Sequence, residues 1–347
     1  MILVNNPGSW AHVYPPLRHA EWHGWTPTDF IFPFFLFIVG VAMTFSLPKP
    51  ENNRALKRTI YIKIIRRTLI IYALGLFLSG FPYFDFSTIR VVGVLPRIAI
   101  VYFFAALITV NTNLKGQIWT TSGLLVLYWG LMKLVPVPGF GAGNLSVEGN
   151  LAAFIDNKLL HGHMWKESWD PEGLLSTIPA IATALTGVLT GRFLQSGLDK
   201  RDIVGWLFVG GWYAILIGLF GHIWFPINKS LWTSSFVIFT SGAALQFLGV
   251  CYWLIEVKKY RKWAFFAIVF GMNSITVFML SGLLARIIGL VKVDAAGAIS
   301  VKTWIYESLF ASWFSAFNGS LAFALVTVLF WLGIMTILHR KKIFIKI

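Results

Sequence analysis

Apolar residues run along this chain in long blocks, broken by short basic loops on alternate breaks and by longer polar, aromatic loops on the others. A membrane-spanning helix needs roughly 20 mostly apolar residues. Nine blocks meet that need, at about 30–47, 67–81, 91–110, 118–135, 174–193, 203–224, 232–255, 264–290 and 320–338. The pattern predicts an all-α, polytopic membrane helix bundle. The blocks at 232–255 and 264–290 exceed one membrane thickness, which predicts tilt or a kink. The opening MILV reads as the end of a further spanning helix, a stub at 1–4 whose beginning is expected upstream. It lacks the basic start and longer apolar run of a signal peptide.

Composition strengthens this reading. The 347 residues are 57% hydrophobic and only 12% charged, too apolar for a soluble chain of this length. A single cysteine, Cys251, excludes an intramolecular disulfide and a cysteine-rich metal site. No soluble domain, low-complexity segment or internal repeat is evident, so residues 1–347 form one transmembrane domain.

Charge gives an orientation. The segments 49–67, 115, 192–201, 258–262 and 340–346, with the acids beside them, hold 19 basic and 4 acidic residues; the rest of the chain holds 10 of each. The whole net charge of +15 therefore falls on one face. Cytoplasmic loops of membrane proteins carry such an excess. The C-terminus is expected in the cytoplasm, and the polar loops with six of the seven histidines on the periplasmic side of a bacterial inner membrane. The same asymmetry removes the reason to read the charge as a nucleic-acid surface.

Four stretches of the outer face carry the candidate chemistry. In residues 5–29, Pro15 and Pro16 can start a short helix and Thr26-Pro27 can end it, so residues 17–25 are expected to place His19 and His23 on one helical face. A histidine there suits general-base work at neutral pH, with Glu21 or Asp29 orienting the ring. A bland reading stands beside it, interfacial anchoring in an aromatic belt, and a third reading is a metal site of His19 and His23 completed by His161 and His163. A Ser9, His19, Asp29 arrangement lacks the Gly-x-Ser-x-Gly elbow.

In residues 84–100, Arg90 and Arg97 bracket a span, with Arg97 about two turns inside it. A guanidinium in hydrocarbon costs on the order of 3 kcal/mol unless it is paired or lines a cavity. That cost makes Arg97 a functional candidate, against a structural pair with Asp85 or Asp170. In residues 161–183, Asp170 and Glu172 are expected to cap the following helix. In residues 225–242, Lys229 beside Asn228 can neutralise a phosphate or snorkel to head groups. Asn273 reads as an interhelical hydrogen bond.

Taken in order, LVNNPGSW, RHAEWHGWTPTDFIFPFFLFIVGVAM, GVLPRIAI, DPEGLLSTIPAIAT and PINKSLWTSSFVIFT resemble the bacterial relatives of heparan-α-glucosaminide N-acetyltransferase, from the first residue to about Val277. The resemblance implies an integral membrane acyltransferase moving acetyl from acetyl-CoA to the amine of a glucosamine-type sugar on the non-cytoplasmic side, with no metal. Its catalytic histidine, in a His-small-x-Trp-x-Gly motif, is matched by His19. Its asparagine is matched best by Asn5, with Asn6 as the alternative. Pro96 stands where relatives usually have Gln, which implies a lost polar contact or a kink.

In this reading His19 accepts the amine proton or carries the acetyl group, and Asn5 donates to the oxyanion. Arg97, Arg90 and Lys229 are the candidates for the donor's phosphates by charge and position. Trp22, Asp29, Asp170 and Glu172 are the candidates for the sugar, and Trp25, Trp165 and Trp169 either stack on it or anchor the interface. The competing readings are a transporter of N-acetylglucosamine or a related amino sugar and a membrane scaffold. A homodimer is the default assembly.

Overall fold

A computed structural model of the chain describes residues 1–47, 54–294 and 297–345. The beginning of the basic segment 49–67 and Lys346 lie outside the described residues. The fold is mostly helical, and among the described residues one short hairpin pairs Pro136–Val137 (β1) with Gly141–Ala142 (β2). The described residues fall into two units: Met1–His19 with Thr26–Thr28 and Tyr260–Ile347, and Ala20–Trp25 with Asp29–Lys259.

The larger unit holds α2 (Ile31–Ser46), α3 (Arg54–Gly80), α4 (Val94–Asn111), α5 (Leu114–Leu134), α6 (Leu151–Leu160), α7 (Thr177–Leu194), α8 (Lys200–Gly221) and α9 (Ser234–Tyr252). Side chains at several helix starts hold backbone N–H groups that the helix leaves unpaired. Asn113 accepts from Gly116 N at 2.8 Å, Asn150 from Ala153 N at 2.8 Å and Asp199 from Arg201 N at 2.8 Å. α2 and α7 approach closely because glycine stands at their contact. A Cβ on Gly40 would enter the Ala184 carbonyl, and one on Gly187 the Phe37 carbonyl. Residues on the outward face of α8, including Trp206, Trp212, Tyr213, Leu216 and Phe220, are exposed, as a lipid-facing helix requires.

The smaller unit holds α1 (Ile2–Asn5), α10 (Phe265–Met272), α11 (Ser274–Leu290), α12 (Val301–Tyr306) and α13 (Ala316–Arg340). Val269, Val277, Trp331 and Met335 form its buried core, with Ile2 packed against them.

Among the described residues, six helices are long and apolar enough to cross a membrane, and α10 with α11, bent by 71°, makes a seventh if taken as one span. These cover seven of the nine blocks. The other two, at 67–81 and 118–135, lie in α3 and α5. α3 is laden with Lys57, Arg58, Lys63, Arg66 and Arg67, and α5 is diluted by Lys115, Gln117, Thr120 and Thr121, so the count of nine is not established. The kink expected in block 264–290 is present and sits at Asn273. That residue does not bond another helix: its Nδ2 donates to Ile343 O at 3.2 Å and its Oδ1 accepts from Ile345 N at 2.8 Å, tying the C-terminal segment to the break.

Two further expectations change. Arg97 lies in the first turn of α4, not two turns inside a helix, because the helix starts only after Gly93, whose φ of 144° is open to glycine. Pro96 falls in that same turn, where no intrahelical N–H partner exists to be lost, so no kink follows.

Candidate functional site

The turn from Asp170 to Ser176, ahead of α7, is gripped from two sides. Arg90 reaches it first: Nε donates to Asp170 Oδ2 at 2.7 Å, and Nη2 donates to Asp170 Oδ1 and Glu172 Oε2, both at 2.5 Å. Asp170 also accepts from the backbone N–H groups of Trp165 at 2.7 Å and Glu172 at 2.8 Å. The Trp165 ring lies 5.3 Å from the guanidinium. Burial works against the Arg90 charge, but Asp170 and Glu172 outweigh it and hold the guanidinium above its ordinary value. Asp170 and Glu172 therefore do not cap α7, whose N-cap is Ser176. Both carboxylates bond Arg90 and offset its charge, so the three side chains act as one ion-paired group.

Arg97 grips the turn from the other side, and it is 99% buried. Its Nη2 donates to Gly173 O at 3.0 Å and to Ser176 Oγ, while Nε and Nη1 have no partner among the described residues. The guanidinium lies 5.2 Å from the Trp232 ring, a cation–π contact. Trp232 is itself fixed: its indole N–H donates to Thr183 Oγ1 at 3.0 Å and its ring meets Phe32 edge-on at 5.1 Å. A buried cation with two idle donors is costly, and such groups concentrate where a ligand completes the set.

Opposite Arg97, Asp156 of α6 accepts from Leu174 N at 2.8 Å. It is almost wholly buried, and burial pushes its carboxyl up to about 6 in spite of Leu174 and Arg97. Beneath it lies the apolar cluster of Tyr128, Met132, Leu151, Ala152, Phe225 and Leu231, with Trp22, Leu145 and Leu175 packed on it.

The loop after His19 is pinned by Asp29, which is 1% exposed. Asp29 Oδ2 accepts from Ala20 N at 3.1 Å, and its Oδ1 lies 3.6 Å from Lys229 Nζ. Burial lowers the Lys229 ammonium below its ordinary value, against the pull of Asp29 and Glu172. Trp22 donates to Leu145 O at 2.8 Å and meets Trp169 edge-on at 5.2 Å. Asn228, fully buried, accepts from Leu231 N with Oδ1, which turns Nδ2 toward His23 Nδ1 at 3.3 Å. Burial, then His222, lowers the His23 imidazolium below its ordinary value. His222 Nδ1 accepts from Ile227 N at 2.9 Å, which fixes its tautomer.

His19 and Asn5 both lie in the smaller unit and both are exposed, whereas Asn6 is buried with its amide donating to Ile2 O at 2.8 Å. The helix expected at 17–25 does not form. A short 3-10 turn, Pro15–Leu17, is followed by bends with Gly24 at a φ of 97°. Thr26 Oγ1 donates to Arg18 O at 2.5 Å and Thr28 Oγ1 to Pro16 O at 3.1 Å. His19 and His23 therefore share no helical face and fall in different units. Among the described residues, no three His, Cys, Asp or Glu side chains gather as a metal site would need.

At the other ends of α2, α4 and α7, a cavity of about 440 Å³ is lined by Thr44, Asn111, Asn113, Leu114, Arg192 and Gln195. About 21 Å of helix separates Arg97 from Asn111, at 1.5 Å per residue. Sequence reasoning missed this cavity together with Asp156, Ser176 and Trp232. Of these only Asp156 left a trace, a carboxylate set among the apolar residues of LAAFIDNKLL.

No protein-family model matches the chain. It is 27% identical over 409 aligned positions to human heparan-alpha-glucosaminide N-acetyltransferase, covering all of this chain and 58% of that protein. It is also 27% identical over 338 positions to the mouse protein of the same name, covering 80% of this chain and 50% of that one. The chain thus spans about half the length of the curated relatives it matches. It is a distant relative of the heparan-alpha-glucosaminide N-acetyltransferases.

Proposed function

We propose that the protein is a membrane N-acetyltransferase that moves acetyl from acetyl-CoA to the amine of a glucosamine-type sugar on the non-cytoplasmic face. The observation that carries this beyond the likeness to its relatives is Arg97, a buried cation whose Nε and Nη1 await a partner. Such donors suit the acyl carbonyl or a phosphate of the coenzyme.

The cavity at the far ends of α4 and α7 lies beside the basic segments that mark the cytoplasmic face, and Arg192 lines it. It suits the nucleotide end of an elongated donor. Arg97 then receives the acyl end, Lys229 with Asp29 holds the loop that begins at Ala20, and Arg90 holds the turn. The indole faces around Trp22 suit the apolar face of a sugar.

In the reaction, the sugar nitrogen attacks the thioester carbonyl carbon, and His19 takes the proton that the nitrogen sheds. Asn5 donates to the oxyanion. The C–S bond breaks, and the departing thiolate takes a proton from the His19 imidazolium, leaving CoA thiol and an N-acetyl sugar.

The test is acetyl transfer by the purified chain in a bilayer mimic supplied with acetyl-CoA and glucosamine. His19→Ala is expected to abolish it while leaving acetyl-CoA binding intact. Undiminished acetylation would overturn the assignment of His19. Acetyl-CoA-independent uptake of labelled sugar into vesicles, with no acetylation, would replace the enzyme by a transporter.

A further inference from the structure

We infer that Asp156 is a positioning residue for donor binding, holding the Arg97 guanidinium in place through the single peptide bond between Gly173 and Leu174, and that its ionised form is the competent one. The inference rests on the reading of Arg97 as a donor contact.

The geometry is specific. Gly173 O accepts from Arg97 and Leu174 N donates to Asp156, so the cation and the carboxylate hold the two ends of the same peptide group. A peptide is planar, so a displacement of its N–H is a displacement of its C=O. An ionised acceptor on the N–H side also polarises the unit and makes the carbonyl a stronger partner for Arg97. The fit leaves little play, because a Cβ on Gly173 would stand inside the Asp156 carboxylate.

The rest of the turn does not depend on Asp156. Asp170 and Glu172 are held by Arg90, so loss of the Asp156 charge frees one end of the turn and leaves the other anchored. The charged and titratable groups around Asp156 are Arg97 of α4, Tyr128 of α5 and Asp170 of the turn, with Glu172 and Arg90 next to them and the exposed Lys158 on α6 itself. With its carboxyl raised to about 6, Asp156 is ionised at neutral pH and protonated in mild acid.

The experiment measures acetyl-CoA affinity of the full chain in nanodiscs by calorimetry from pH 5 to 7.5, for the wild type, Asp156→Asn and Arg97→Gln. Asparagine keeps an acceptor oxygen for Leu174 and mimics the protonated acid. The donor's own phosphate also titrates near pH 6, so the quantity read is the wild type relative to Asp156→Asn at each pH. We expect the wild type to bind about fivefold more tightly than Asp156→Asn at pH 7.5, the scale of one charge-assisted bond against a neutral one, and equally at pH 5. Arg97→Gln should lose most of the affinity at every pH. Parallel wild-type and Asp156→Asn profiles, with Arg97→Gln still impaired, overturn the role of Asp156 and leave the donor reading standing. An Arg97→Gln variant with full affinity overturns both. If Asp156→Asn does not fold, Asp156→Ser is read in the same way.

Discussion

Replacing Asp156 by Asn should make the protein more stable at neutral pH, even as it weakens donor binding. The side chain is 1% exposed, and its carboxyl is raised from its ordinary 3.8 to about 6, mainly by burial. The folded state therefore holds the proton more tightly than the unfolded chain does. Between about pH 4 and 6 the folded protein carries more protons than the unfolded one, so stability falls as pH rises through that window. Above pH 6 the loss is complete and constant, at roughly 3 kcal/mol for two pKa units. Asparagine removes the charge and with it this cost, and it keeps an oxygen for Leu174 N. The variant should match the wild type near pH 4, gain on it up to pH 6 and stay ahead by up to ~3 kcal/mol at pH 7.5. Thermal unfolding of both proteins in one detergent, followed by tryptophan fluorescence across pH 4–8, reads the difference. A variant less stable than the wild type at pH 7.5, or a gap that does not change with pH, would refute the reasoning.

Other expectations follow from neighbouring groups. Asp170→Asn leaves Arg90 facing a neutral amide in a largely buried pair and should cost about 3 kcal/mol, seen as a lowered unfolding midpoint. Gly173→Ala drives a methyl group into the Asp156 carboxylate, so it should cost ~1–3 kcal/mol and weaken acetyl-CoA binding together, whereas Gly24→Ala strains a backbone with open space around it and should leave donor affinity intact. Thr183→Val strands the Trp232 indole N–H in the protein interior, costing about 1–3 kcal/mol, and should shift the tryptophan emission.

The bundle was legible because lipid enforces a simple code: among the described residues, six of the apolar blocks meet helices long and apolar enough to span, and a seventh meets the bent pair of α10 and α11. The code fails where a helix mixes functions. α3 begins as a basic face before it turns apolar, and hydropathy alone does not say where the membrane ends. Arg97 was legible for the complementary reason, as a charge in an apolar run. What it binds was not, since Gly173 and Ser176 lie 76 and 79 positions away. The segment after Pro16 misled because local spacing suggested a helix, while the backbone is set by side-chain bonds from Thr26 and Thr28 back to the carbonyls of Arg18 and Pro16.

The buried charges of the larger unit share out their partners unevenly, and the unevenness bears on function. Three cations, Arg90, Arg97 and Lys229, are set among four acids, Asp29, Asp156, Asp170 and Glu172. Arg90 takes Asp170 and Glu172 directly, and Lys229 stands beside Asp29. Arg97 and Asp156 remain, and no direct ion pair joins them; a peptide group stands between. A purely structural design would close that gap, because a direct pair offsets the desolvation of both charges better than a relay does. Keeping them apart leaves the cluster near neutrality while sparing two guanidinium N–H groups from any carboxylate. Those donors have no partner among the described residues, which fits the proposed donor contact, and a carboxylate bound directly to Arg97 would compete with it.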